Sequence, residues 1–495
     1  MNSKKNIVII GGGITGLAAA YRLSEIKKEK NLDYEITLLE ASDRLGGIIE
    51  TEERDGFLLE NGPDSFISEK PWAVDLCKKL GIANEIIETQ KSFRRSFIYK
   101  KGKLIPVPKG FYLITPTDSK TLWKTSLISP SCKLRMILEP LIPIKKDNED
   151  ESVASFITRR FGKEALRRLG QPMIGGIYTA DPERLSLKAT FPQFLEMEKE
   201  YGSLIRAFQK TKTERQASGP RYRLFLSLRQ GLQQLVDILS ERLEQEGIKF
   251  RLTAPVKAIE KDESWKIVLE NTESFKADAI CVALPTHAAS HLFSRLSRNL
   301  SHELREIPYE SVATVNIAFR REEVNHPLNG FGYVVPAIEN RGVVGCTFSS
   351  VKFPNRAPQG RVLLRLFIGG AFGREMFELD DAGMEILVRD ELRQTLGIEA
   401  TPKFISIKRW PRSMPQYHLG HLERVRKIES EMEKLSGVYL AGNAYQGVGI
   451  PDSIKSGEEM AQAMNEYLSK QINKSVGAGP PGPNNGRGDL APTNI

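Results

Sequence analysis

A chain of 495 residues is too long for one hydrophobic core, so two or three domains are expected. Its 40% hydrophobic and 27% charged residues are those of an ordinary soluble globular protein. The net charge of +9 is spread along the chain without a basic tract, which excludes nucleic-acid binding and suits a carboxylate-bearing substrate or an anionic membrane surface.

In chain order, Asn6–Ile10 is a short β-branched apolar run that stops at glycine, a buried strand. A helix follows from about Ile14 to Lys28, with Leu17, Ala20, Tyr21 and Leu23 at helical spacing, and Glu35–Leu39 is a second buried strand. Together they predict a βαβ unit with parallel strands. From Lys91 to about Phe225 the character changes to long basic-apolar stretches, above all Lys109–Lys146. The α/β pattern returns with a helix over Gln233–Glu246 and strands at Lys249–Leu252, Val256–Glu260, Lys266–Leu269 and Ala279–Ala283. A strand-rich region spans about Ser311–Gly369, and a strand at Val438–Ala441 and a helix at Pro451–Ser469 close the pattern. The Pro/Gly/Asn-rich stretch 475–495 has almost nothing to bury and is expected to be disordered.

The cysteines Cys77, Cys132, Cys281 and Cys346 have no paired spacing, which argues against a disulfide framework or zinc site and for a reducing compartment. His287/His291 lacks a nearby acidic ligand and His418/His421 lies in a Pro-rich loop, so no metal is expected. Only a short polar stretch precedes the first strand and no apolar run is long enough for a membrane span. A cytoplasmic protein, with peripheral contact on the inner face of the cell membrane, is the expectation.

The chemistry is carried by glycines. Gly11, Gly13 and Gly16, with Gly12, Ile14 and Thr15 between them, form G-x-G-x-x-G between strand and helix. Gly11 permits the tight turn, Gly13 lets the backbone approach a pyrophosphate, and Gly16 lets helix and strand pack closely. The helix N-terminus offers free N–H groups and partial positive charge to the phosphates. Glu40 ends the second strand, where a carboxylate can accept from ribose hydroxyls. The run then continues through Ala41 into Arg44, Gly46 and Gly47, a fixed cation and two more glycines that an NAD dehydrogenase does not need.

That continuation resembles the second half of the flavin signature of amine oxidases, phytoene desaturases and porphyrinogen oxidases, and it implies FAD. Three further pieces agree. Gly62, Pro63, Asp64 and Ser65 form a turn expected beside the isoalloxazine ring. Val256 opens a strand whose backbone suits the adenine edge. Gly442 leads through Val448 and Gly449 to Ile450, where a helix N-terminus would face the flavin's carbonyl oxygens. No nucleophile set is apparent, as expected where the cofactor carries the chemistry.

From Val8 to about Tyr467 the chain looks like the protoporphyrinogen/coproporphyrinogen oxidase family. The likeness rests on Glu60–Phe66, Ile174–Pro182, Leu185–Ser186 with Phe191–Pro192, Gly330–Gly332, Phe348–Ser350, and Pro415–Tyr417 with Gly420–His421. The fold class it implies is α/β with α+β inserts: a Rossmann-like FAD-binding domain assembled from 1–90, 226–288 and 425–470. A substrate-binding domain would occupy 91–108, 206–225 and 289–424, and a mostly helical membrane-binding insert 109–205. The family reaction removes six electrons from a porphyrinogen, in rounds of hydride transfer to the flavin with O2 reduced to H2O2. Carried over residue by residue, Val334, Thr347 and Phe367 line the substrate pocket with Gly175 and Gly176 nearby, and Trp410 lies near the flavin. Where many members place a propionate-binding arginine this chain has Ser96, and Arg95 is the candidate in its place. Protoporphyrinogen IX and coproporphyrinogen III both stay open as substrates, and a homodimer is left open. Two other readings remain: a flavin amine oxidase or carotenoid desaturase, and a non-catalytic FAD-containing binding protein.

Overall fold

A computed structural model describes residues 4–108, 111–112, 114–116, 119–215 and 225–477. Five strands pair in parallel in the order Lys249–Arg251, Tyr34–Leu39, Lys5–Ile10, Ala279–Val282 and Val438–Leu440. Helices cover both faces of such a sheet, and this is why its strands are unbroken apolar runs rather than alternating ones. The helix Ile14–Glu29 and the closing helix Ile450–Gly477 pack together on one face, and residues from four distant parts of the sequence fill the core beneath them. The mixed α/β class and the discontinuous nucleotide-type sheet are therefore those expected. The closing helix runs past Ser469 and takes in residues 475–477 of the stretch expected to be disordered; the rest of that stretch lies outside the described residues.

A second sheet has seven strands, ordered Phe404–Pro415, Tyr309–Arg320, Arg361–Gly369, Gly345–Thr347, Gly332–Val334, Phe97–Lys100 and Lys103–Pro106. Its two faces follow from the two-residue period of a strand. Val362, Leu364, Leu366 and Ile368 turn toward the helix Asp381–Leu396 with Ala313, Val315, Ile317, Tyr333 and Cys346. Arg365, Phe367, Thr347, Val334, Thr314 and Asn316 therefore turn the other way. His421 does not lie in a loop; it opens the helix His421–Glu433.

In the chain, after the strand Lys103–Pro106 and before Tyr309–Arg320, comes a largely helical segment with its own core, including Phe156, Phe161, Leu166, Phe191 and Phe194. Its helices Pro130–Ile137, Val153–Phe161, Pro192–Tyr201 and Leu204–Arg215 meet around a buried charge network. Arg160 Nε donates to Glu139 at 2.7 Å and a terminal nitrogen to Glu198 at 3.1 Å, with no exposed surface on either Arg160 or Glu139. Arg159 holds Glu198 and Glu151 beside it. Among the described residues no helix is long and apolar enough to cross a membrane.

Removing one member of a buried ion pair strands the other, at a cost of about 3–5 kcal/mol. Arg160→Met is expected to destabilise this segment by that amount in urea denaturation. Arg160→Met combined with Glu139→Leu is expected to recover part of the loss; equal losses in both would show that the charges do not hold the helices.

Candidate active site

The glycine loop joins the first strand to the first helix at the carboxyl edge of the parallel sheet, where such folds bind ligands. Three of its glycines are needed by the protein itself. Gly11 has φ +109°, and a Cβ there would lie 2.4 Å from the Ala283 carbonyl. A Cβ on Gly16 would lie 2.0 Å from the Gly11 carbonyl, and one on Gly12 would meet Leu45 at 2.6 Å. Gly13 differs. It has φ −70° and ψ 173°, a backbone any residue adopts, and a Cβ there would meet nothing within 4 Å. The chain itself leaves this cradle open. Gly13 also caps the helix without a side-chain hydrogen bond and no acidic residue lies in the first turn, leaving the positive helix end to an anion. The residues present fit a pyrophosphate. Ile14 and Thr15 are buried behind the cradle.

The opposite lip is the loop after the second strand. Gly46 N–H donates to Gly12 O at 2.9 Å, and Gly47, at φ +59°, passes so close that a Cβ would lie 3.3 Å from Gly13 Cα. Glu40 accepts from Gly12 N–H at 2.6 Å and from the Ser42 N–H and hydroxyl, so its carboxylate is held at the floor; Ala41 is exposed beyond it. Arg44 folds back on its own loop, donating to the carbonyls of Leu45, Gly47 and Ile49 and pairing with Glu50 at 3.0 Å. These bonds shape the lip. Val256 begins its strand at the outer end, two residues past Ala254, whose N–H bonds Glu40 O at 2.8 Å. Gly442 N–H donates to Ser456 at 3.0 Å, Gly449 N–H to Asp452 at 3.3 Å, Val448 packs against the helical segment, and Ile450 starts the closing helix.

The turn Glu60–Ser65 carries the site across to the second sheet. Thr314 donates to Asn61 O, as does Trp410 Nε1 at 2.7 Å; Asn316 donates to Glu60 O at 3.4 Å; Arg365 donates to Gly62 O. Gly62 must be glycine, because a Cβ would lie 1.6 Å from the Ile48 carbonyl. Pro63 is partly exposed, and Ser65 donates to Asp64 at 2.6 Å. Lys352 grips both Asp64 oxygens at 2.9 and 2.7 Å, and Arg365 stands 3.6 Å away. Burial opposes ionisation of Asp64, but these two cations overcome it and hold the carboxyl well below its usual range. Burial drives Glu60 the other way, raising it despite Arg356.

Beyond the turn, Val334, Thr347 and Phe367 stay partly exposed within strands that are otherwise buried except at Arg361, all three on one face. Gly176 lies against them, since a Cβ there would be 3.6 Å from Val334; Gly175 is buried one residue earlier in the same helix. The structure thus brings these five together. Arg95 lies at the edge, its carbonyl taken by Phe331 N–H, and its exposed guanidinium has no partner among the described residues. Arg94 is spent on Glu88 and the Thr89 carbonyl. Sequence reasoning missed Lys352, Arg356 and Arg365, whose only signal is a cation inside an apolar run such as Val362-Leu-Leu-Arg365-Leu-Phe-Ile368. No group of three or more His, Cys, Asp or Glu able to hold a metal occurs among the described residues.

Comparison with known proteins agrees on one lineage. The family described as flavin containing amine oxidoreductase matches residues 14–465. The coproporphyrinogen III oxidase of Bacillus subtilis strain 168 is 35% identical, covering 94% of this chain and 99% of that one. The chloroplastic protoporphyrinogen oxidase of Nicotiana tabacum is 31% identical, covering 94% and 86%. A solved structure from Exiguobacterium sp. 255-15 superposes with TM-score 0.84 at 30% identity, covering 95% of this chain and all of that one.

Gly13→Val should therefore fold, with the melting temperature of the flavin-free protein unchanged, yet purify without flavin. Gly16→Val should instead lose stability through its clash with the Gly11 carbonyl. Full flavin content in Gly13→Val would mean that the open cradle is not the cofactor's seat.

Proposed function

This chain belongs to the flavin containing amine oxidoreductase family, and from that premise we propose that it oxidises a porphyrinogen to the aromatic porphyrin in haem biosynthesis, with FAD as cofactor. The observation that carries the reading is the one-sided wall. Val334, Thr347 and Phe367 emerge from buried strands opposite the Glu60–Ser65 turn, a broad surface without a carboxylate, histidine or thiol among them. Such a wall needs only to hold a wide apolar disc flat while a cofactor does the chemistry. Bound FAD supplies the acceptor for the hydride leaving a meso-methylene carbon, over three rounds for six electrons, with dioxygen carrying the electrons away as hydrogen peroxide.

The chain's own residues bind and orient. The Gly13 cradle and first helix hold the pyrophosphate, Glu40 accepts from the ribose, and Trp410, Thr314 and Arg365 fix the turn between cofactor and substrate. Arg95 grips a carboxylate at the rim of the disc in bidentate fashion. We assign coproporphyrinogen III as the preferred substrate. The likeness to the Bacillus protein supports this, as does the Gly447–Asp452 run, which resembles the Gram-positive branch of the family.

Arg95→Ala should cost on the order of 1–3 kcal/mol, a roughly ten- to hundredfold fall in kcat/KM. The loss should fall mainly on KM, because the contact is made equally in ground and transition states. Porphyrin fluorescence with coproporphyrinogen III and protoporphyrinogen IX side by side reads it: a propionate shared by both substrates raises both KM values, and one found only on coproporphyrinogen raises that alone. Unchanged kinetics on both would remove Arg95 from the site.

We also place the protein in the cytoplasm, with the helical segment resting on the inner membrane face. Trp123, Leu134, Leu138, Leu141 and Ile144 are exposed, Leu141 by 72%, with Lys124 and Lys146 exposed beside them. Apolar insertion aided by basic contacts predicts co-flotation with anionic liposomes at low salt and release by Leu141→Glu. A wild-type protein left in the soluble fraction would contradict the placement.

A further inference from the structure

Five charged groups gather beneath the Glu60–Ser65 turn, and they do not balance. Glu60 and Asp64 face Lys352, Arg356 and Arg365, two carboxylates against three cations, all with side chains no more than 16% exposed. Lys352 and Asp64 neutralise each other at 2.7 Å. Arg356 spends its donors on Ser227 and the carbonyls of Leu228 and Arg229, with Glu60 at 4.0 Å. Arg365 has the Gly62 carbonyl and, at 3.6 Å, an Asp64 carboxylate that Lys352 already holds more closely, and its Nε is buried without a partner. An uncompensated cation inside a protein is costly unless an anion is meant to meet it.

Its position says which anion. Arg365 holds Gly62, which touches the Ile48 carbonyl in the lip of the cradle. On its other side the guanidinium lies 4.5 Å from the centroid of the Phe367 ring, in the wall. The excess charge therefore sits between cradle and wall. With FAD bound, transfer of a hydride from a substrate C–H bond would carry both electrons and the proton to the cofactor's ring system, which would become one unit more negative. The oxidised substrate sheds an N–H proton to solvent, which completes the balance.

We propose that Arg365 is a positioning residue that also sets the cofactor's reduction equilibrium, its unneutralised charge favouring the reduced form. The inference rests on the FAD reading above. At an effective dielectric constant of about 20, a buried unit charge beside the ring would move that equilibrium roughly tenfold or more, about 30 mV per tenfold for two electrons.

The test is the reduction potential of the full-length, FAD-loaded protein, measured against reference dyes, in wild type and the variants R365M, R365K and D64N. R365M should lower the potential, D64N should raise it by freeing its cations, and R365K should stay near wild type. Both R365M and D64N loosen the same turn, so opposite signs cannot come from lost structure. A shift in the same direction for both, or no shift in either, overturns the proposal. If R365M no longer holds flavin, D64N decides alone, and anything but a rise overturns it. Wild-type protein that takes up no flavin overturns both this inference and the reading on which it rests.

Discussion

The whole arrangement hangs on how the turn Glu60–Ser65 is received by the second sheet. Three consecutive carbonyls, those of Glu60, Asn61 and Gly62, accept from Asn316, from Thr314 and Trp410, and from Arg365, and the Asp64 carboxylate closes on Lys352. Each bond is buried or nearly so, where leaving such a group unpaired costs about 1–3 kcal/mol. The parallel sheet and the mixed seven-stranded sheet are thereby held together at the turn. That lock ties the cradle and the wall to each other where they come nearest in the chain's own bonding, at the turn.

Given the lock, the parts divide the work. The cradle is built by close backbone approach: Gly11, Gly16 and Gly62 are glycine because another backbone occupies the place of their Cβ, whereas a Cβ on Gly13 would meet nothing within 4 Å, the space proposed for the pyrophosphate. The wall is built by alternation, one face of its strands sealed by the helix Asp381–Leu396 and the other left half exposed. Pro415–Tyr417 joins the pieces. Gln416 donates to the Tyr178 carbonyl at the end of the glycine-bearing helix, and Tyr417 donates to the Asn443 carbonyl at 2.6 Å in the loop before the closing helix. Tyr417 also stacks on His421 at 4.1 Å, and burial pushes that imidazole down to about 4, so the junction stays neutral at ordinary pH.

Much of this was legible in the sequence where the signal is local. The glycine motif, the buried apolar strands and the opening helix each follow from a few neighbouring residues, and their bounds agree within a residue or two. The strand period puts Val334, Thr347 and Phe367 on one face once their register is known, but the register is set by pairings with distant strands. The helices Arg298–Arg305, Asp381–Leu396 and His421–Glu433 went unread, although Ser297 and Asp380 cap two of them in the usual way. The charge hub was not legible at all. Lys352 meets Asp64 across 288 residues, and nothing near either one announces the other.

The central claim is that a porphyrinogen held on the wall gives its electrons to a flavin held in the cradle. The most direct measurement is an anaerobic titration of the FAD-loaded protein with coproporphyrinogen III, following flavin bleaching and porphyrin fluorescence together. The account predicts that the flavin bleaches as porphyrin appears, three flavins reduced for each porphyrin formed, because each takes two of the six electrons. A flavin that stays oxidised in the presence of excess porphyrinogen would contradict it.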